Sequence, residues 1–168
     1  MHVAIDILRR QNLDSLNLDA EALTKMLGAA DSGPPGSIAK GARAIQSWAR
    51  RHGARVITHD GSGLSYTNSV STTAMVRLLS AANGRPWGSA LRSTLPSGGQ
   101  GTLAGRLIGL RVRAKTGTLL KQVSALSGWV WLQRRQRWVE FSILSRGLPK
   151  LESVAIEDRI LAIIAKQG

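Results

Sequence analysis

No cysteine occurs among the 168 residues, which excludes disulfides, thiolate catalysis and cysteine-ligated zinc or iron–sulfur centres. Acid is scarce: 10 Asp and Glu stand against 23 Lys and Arg, a formal net charge of +13. Aromatics are few, with one Tyr and one Phe beside five Trp, which leaves little on which nucleic-acid bases can stack. No apolar run approaches the roughly 18 residues that cross a bilayer, and the first residues lack the basic-then-apolar pattern of a secretory signal. The histidines, His2, His52 and His59, form no His-Glu-x-x-His spacing, so neither a metal nor another cofactor is expected.

What is present is the composition of a folded domain, 43% apolar and 20% charged. At about 150 residues per domain the whole of 1–168 reads as one unit, long enough to bury roughly two thirds of its unfolded surface. The missing acid is concentrated: after Asp60 the next carboxylate is Glu140. The intervening stretch carries Arg77, Arg85, Arg92, Arg106, Arg111, Arg113, Lys115, Lys121, Arg134, Arg135 and Arg137, and a surface built from it attracts anions. Charge alone leaves the anion open between phosphate, acidic lipid and carboxylate, and an arginine-rich composition explains it equally well. No helix-turn-helix spacing supports a specific nucleic-acid partner.

Periodicity predicts helices over 3–10 and 18–27, the second capped by Asn17 and stopped at Gly28. Ser37 opens another, with Ile38, Ala42, Ile45 and Ala49 on one face and Gly53 as its stop; Ser71 to Ala82 makes a fourth. After a Gly- and Pro-rich passage the period changes to two, giving strands at 111–115, 124–132 and 138–145, the last two joined as a hairpin by the polar 133–136 link. Ser153 is placed to cap a final helix. The order is helices, antiparallel strands, one helix: an α/β chain with an antiparallel sheet flanked by helices.

Two segments carry candidate chemistry. Lys115-Thr116-Gly117, followed by Thr118, sets a cation and a hydroxyl side by side to grip a carboxylate, while Gly lets a peptide approach the strand. The bland reading is a solvated lysine at a strand end. Asp60-Gly61-Ser62-Gly63-Leu64-Ser65-Tyr66-Thr67-Asn68 puts Ser65 and Asn68 on one tight loop, where ordinary turn chemistry is the bland reading. A phosphate-binding loop at 109–116 is excluded, because Ala114 stands where Gly must precede the lysine.

Taken in order, the 60–68 loop, then Leu95-Pro96-Ser97-Gly98-Gly99-Gln100-Gly101-Thr102-Leu103, then the Lys-Thr-Gly strand, then Val123-Ser124-Ala125-Leu126-Ser127-Gly128-Trp129-Val130 resemble the D-alanyl-D-alanine carboxypeptidases of the peptidase S13, class C penicillin-binding type. Asn17, Ala20-Glu21, Leu27-Gly28, Gly36-Ser37, Gly41 and Trp48 extend the resemblance over nearly the whole chain. It implies a penicillin-binding-protein/β-lactamase-like transpeptidase fold, incomplete here, with 1–168 the C-terminal portion of the catalytic domain. It also implies a periplasmic or extracytoplasmic serine-type carboxypeptidase, or endopeptidase, with peptidoglycan stem peptides and β-lactams as partners. By resemblance Ser65 is the loop serine that passes a proton to the leaving amine, with Asn68 its companion. Lys115 and Thr116 then hold the terminal carboxylate, Gly117 admits the peptide, and the Thr118 N–H serves the oxyanion.

The family's nucleophile belongs to a Ser-x-x-Lys motif. Ser37-Ile38-Ala39-Lys40 fits it literally, but it lies only 28 residues before Ser65, and its lysine falls off the apolar stripe, so Ser37 reads as an N-cap. The expectation is therefore a chain without its nucleophile, inactive alone, since such a loss costs on the order of a millionfold in turnover. An unpaired outer edge on the last strand is expected to promote self-association. The alternatives are a non-catalytic peptidoglycan- or β-lactam-binding module and, on charge alone, a nucleic-acid-binding protein.

Overall fold

The computed structural model describes residues 2–120 and 122–167; Lys121 of the acid-free stretch lies outside them. Two helices, α1 (His2–Asp14) and α2 (Asn17–Ser32), are followed by α3 (Ile38–Arg51) and a two-residue ladder of β1 (Val56–Ile57) with β2 (Ser69–Val70). Then come α4 (Thr72–Asn83), α5 (Gly88–Thr94), a single 3-10 turn at Gly101–Leu103, the strands β3 (Val112–Leu119), β4 (Val123–Leu132) and β5 (Arg137–Arg146), and α6 (Lys150–Gln167). No described helix is long and apolar enough to cross a membrane.

Local chemistry explains most of these boundaries. Ser37 and Ser71 sit in extended backbone and accept hydrogen bonds from the Lys40 and Ala74 amides, at 3.2 and 3.1 Å, starting α3 and α4 as N-caps. Gly53, at φ +69°, follows the end of α3 as expected. Gly28 does not stop α2, which runs on to Ser32. A Cβ on Gly28 would lie 2.6 Å from the Gly41 nitrogen, and one on Gly41 would strike the Thr24 carbonyl. The glycines are there so that α2 and α3 can touch backbone to backbone. Two further expectations are corrected: Asn17 is the first residue of α2 and makes no cap, and α6 begins at Lys150, with Ser153 buried one turn in and bonded to Ser145. The Gly- and Pro-rich passage contains α5, which the periodicity did not show.

The strands form one antiparallel sheet ordered β3-β4-β5, with Lys115 opposite Ser127, Thr118 opposite Ser124, and Val130 opposite Val139. One face packs Leu126, Val130 and Leu132 with Leu103, Leu107, Phe141 and Leu161 of α6. Burying a side chain such as Leu161, fully enclosed here, contributes about 1.5–3 kcal/mol, so α6 is held chiefly by this stripe. The other face carries Trp131 and Trp138, edge to face at 5.7 Å, with Arg111 over Trp131 and Arg92 of α5 over Trp138. Among the described residues β5 is paired with β4 alone, leaving its outer edge open.

A carboxylate also sits inside the core. Glu157 of α6, 1% exposed, accepts from Ser124 Oγ of β4 at 2.7 Å and from Arg106 at 2.8 Å, and Arg106 also binds Asp158 at 2.8 Å. Burial alone would lower the Arg106 guanidinium, but bonds to Asp158 and Glu157 overcome it and push it upward. Because each charged group is paired, the burial is tolerated.

Candidate active site

Lys115 lies in β3 between the inward-facing Ala114 and the half-buried Thr116, so its stem is enclosed while its amine reaches the strand's open end. Burial holds the amine below the ordinary lysine range. Its Nζ donates to the Ser15 Oγ at 2.7 Å and to the Thr116 carbonyl at 2.9 Å. Ser15 stands in the bend between α1 and α2 at φ +55°, a left-handed conformation that costs roughly 1–2 kcal/mol for a residue with a side chain. The neighbouring turn of α1 is pinned by Asn12, which donates to the buried Thr94 of α5 at 2.8 Å. Ser15 and Asn17 face the 115–119 strand end across a cleft of about 520 Å³, closed on a third side by the 61–64 turn.

That turn is tied to α2. Glu21 accepts from the Gly61 and Ser62 amides at 3.1 and 3.0 Å. Burial alone would raise its carboxyl, but these bonds and one from the Ser62 side chain outweigh it and hold the group below the ordinary carboxylate range. Asp60 organises the rest of the loop, accepting from Gly63 N at 3.0 Å, Ser65 N at 2.6 Å and Asn68 Nδ2 at 2.7 Å. Here too burial would raise the carboxyl, but the bonds from Asn68 and the loop amides hold it low.

The structure brings together Lys115, Thr116, Gly117 and Thr118, all of which line the cleft. It does not bring Ser65 or Asn68 to them, which corrects the expectation of a shared site. Ser65 Oγ bonds Thr67 Oγ1 at 2.7 Å, the Asn68 amide spans Asp60 and the His59 N–H, and both residues line an adjoining hollow of about 470 Å³ that meets the cleft at Gly63, Leu119 and Val123. The physical reason is Asp60, which draws the polar groups of its own loop inward. The sequence reading passed over Ser15 and Asn17. The signal is present as Ser15-Leu16-Asn17, a Ser-x-Asn spacing more literal than that of Ser65 and Asn68, but the sequence offers Asn17 as a helix cap and a point of family resemblance and gives no role to Ser15. Ser37 and Lys40 form no nucleophilic pair: the Ser37 Oγ caps α3, and the Lys40 ammonium donates to the Gly33 and Pro35 carbonyls at 2.8 and 3.0 Å.

The family model for D-Ala-D-Ala carboxypeptidase 3 (S13) matches residues 4–167. A D-alanyl-D-alanine carboxypeptidase of Actinomadura sp. (strain R39) is 37% identical over 123 residues, which are 67% of this chain and 22% of that protein. The crystal structure of penicillin binding protein 4 from Haemophilus influenzae, in complex with a β-lactam, superposes with a TM-score of 0.77 at 26% identity, covering 96% of this chain and 41% of the other. A class A β-lactamase from Bacteroides cellulosilyticus, 16% identical, shares the fold at a TM-score of 0.73 over 96% of this chain and 62% of its own. The fold is thus that of the penicillin-binding proteins and β-lactamases, and the chain spans about a fifth of the length of its curated relative.

Proposed function

The chain belongs to the D-Ala-D-Ala carboxypeptidase 3 (S13) family, and from that premise we propose that residues 1–168 are the C-terminal part of the catalytic domain of a serine-type D-Ala-D-Ala carboxypeptidase. On this reading they supply the carboxylate-binding and proton-relaying wall of a site for peptidoglycan stem peptides. The observation that carries it is the 2.7 Å contact between Lys115 Nζ and Ser15 Oγ at the mouth of the cleft. A lysine ammonium only donates, so the Ser15 oxygen accepts from it and turns its own hydrogen away, toward the cleft. Ser15 is therefore the loop serine, in place of Ser65: it gives its proton to the leaving amine while Lys115 replaces that proton from behind. Thr116 joins Lys115 in holding the terminal carboxylate, Gly117 lets the peptide close on the strand, and the Thr118 N–H serves the oxyanion.

Ser37, the serine of the literal Ser-x-x-Lys spacing, is not the acylated nucleophile on this reading, because Ser37 and Lys40 are both committed to the start of α3. The chain by itself is accordingly a peptide- and β-lactam-binding surface without turnover. Extracytoplasmic action, where peptidoglycan lies, and self-association through the open edge of β5 belong to the same reading.

Calorimetric titration with an N-acylated Lys-D-Ala-D-Ala peptide tests the assignment. Lys115→Ala is expected to cost roughly 1.5–3 kcal/mol of binding, a loss of at least about tenfold, and Ser65→Ala nothing measurable. Full binding by Lys115→Ala would sink the carboxylate reading. A covalent adduct with fluorescent penicillin that vanishes in Ser37→Ala would overturn the assignment of that serine. Concentration-independent sedimentation as a monomer would remove the self-association.

A further inference from the structure

Five arginines gather where α3 ends. Arg50 and Arg51 are its last residues and Arg55 follows the turn; Arg77 of α4 donates to the Gly53 carbonyl at 2.7 Å, and Arg85 donates to His52 Nε2 at 2.8 Å. His52 can accept there because its Nδ1 hydrogen goes to the Trp48 carbonyl, 2.8 Å away, a group that only accepts. All five side chains belong to exposed residues, and the ion pairs among the described residues use Arg9, Arg10 and Arg106 instead. Asp31 shares neighbouring grooves with Arg50 and Arg51 but forms no ion pair with either.

A helix C-terminus carries only about half a negative charge, and one suitably placed cation there is worth roughly 0.3–1 kcal/mol. Five cations exceed what the end of α3 can neutralise, so the surface keeps a strong positive field. All are arginines, whose planar fork pairs bidentately with phosphate oxygens in a way lysine cannot. The guanidinium groups of Arg77 and Arg85 are tethered, so less side-chain freedom remains to be lost on binding. We propose that this end of α3 binds a linear phosphodiester polymer, reading the repeat of negative charge. Bases are not part of the recognition: the half-buried Trp48 already packs against His52, the ring centroids 4.2 Å apart at a tilt of 35°. None of these residues lines the Lys115 cleft, so this surface stands whether or not the proposed function does.

Fluorescence anisotropy with a labelled poly(glycerol phosphate) oligomer, at 50 and 200 mM salt, is the test. Arg50→Gln with Arg55→Gln, and Arg134→Gln with Arg135→Gln at the exposed hairpin tip, each remove two charges from the same total of +13. The α3 pair is expected to flatten the salt slope by about 1.5, so that affinity changes roughly eightfold less across the fourfold salt range, while the hairpin pair leaves the slope unchanged. Equal weakening by both pairs would show that net charge alone is at work and would overturn the proposal. So would failure of the unaltered chain to bind the oligomer, or binding confined to single-stranded DNA or to phosphatidylglycerol vesicles.

Discussion

The bends at 15–17 and 65–68 each present a serine with an asparagine close behind it, and they are put to opposite use. At the first, Asp19 is drawn off by Arg10 at 3.3 Å, so the Ser15 oxygen is left to Lys115. At the second, Asp60 collects Gly63, Ser65 and Asn68, and the loop's polar groups close on themselves. The difference teaches that a serine's chemistry is set less by its sequence neighbours than by which acceptor reaches its loop first. A carboxylate inside the loop closes the turn on itself; its absence leaves the hydroxyl to a distant partner.

Removing that carboxylate is the largest way to break the contrast. Asp60→Ala orphans two loop amides and the Asn68 side chain, and about 3 kcal/mol of stability should go with it, a fall of roughly 6 to 12 °C in Tm by calorimetry. The titration of Lys115 should not move, because Ser15 owes nothing to that loop. The serine exchanges sharpen the contrast at about 1 kcal/mol each. Ser15→Ala removes the acceptor of the Lys115 ammonium and should lower that titration further, as followed by amine labelling against pH, whereas Ser65→Ala should leave it alone. Ser15→Gly should be more stable than Ser15→Ala by about 1 kcal/mol in denaturant titration, since glycine meets no penalty at φ +55°.

The smallest effect is in acid. Glu21 and Asp60 both titrate lower folded than unfolded, so what they contribute is present above the ordinary carboxylate range and lost as pH falls through their depressed values. Glu21→Gln should flatten that acid loss by less than about 1 kcal/mol, because water screens the group. Lys115 has the opposite sense. Its lowered value means the unfolded chain binds the proton more tightly, so stability rises with pH between the depressed and the ordinary lysine value while affinity for a carboxylate falls.

Much of the fold was legible because it rests on local chemistry: the caps at Ser37 and Ser71, the stop at Gly53, and the alternation of Val139, Phe141 and Ile143 in a hairpin strand. What was not legible depends on partners far along the chain. Gly28 reads as a terminator until Gly41 is seen against it, and α5 has only 7 residues, too few for a period to show. Within the site, the Lys-Thr-Gly strand announced itself, but Ser15 is 100 residues from Lys115, and its turn-forming neighbours mark a bend without saying what the bend faces.

The buried Glu157 has a consequence for how the molecule comes apart. Its bonds to Ser124 and Arg106 join the last helix to the central strand and to the segment ahead of the sheet, and parting it from Arg106 strands a charge in the core. Partial opening at this junction therefore costs more than the loss of its apolar contacts alone. In hydrogen exchange the amides around Leu126 and Leu161 should lose protection together, as one cooperative block, while the 61–68 loop, held by Glu21, Asp60 and Asn68 rather than by core packing, opens on its own at lower free energy.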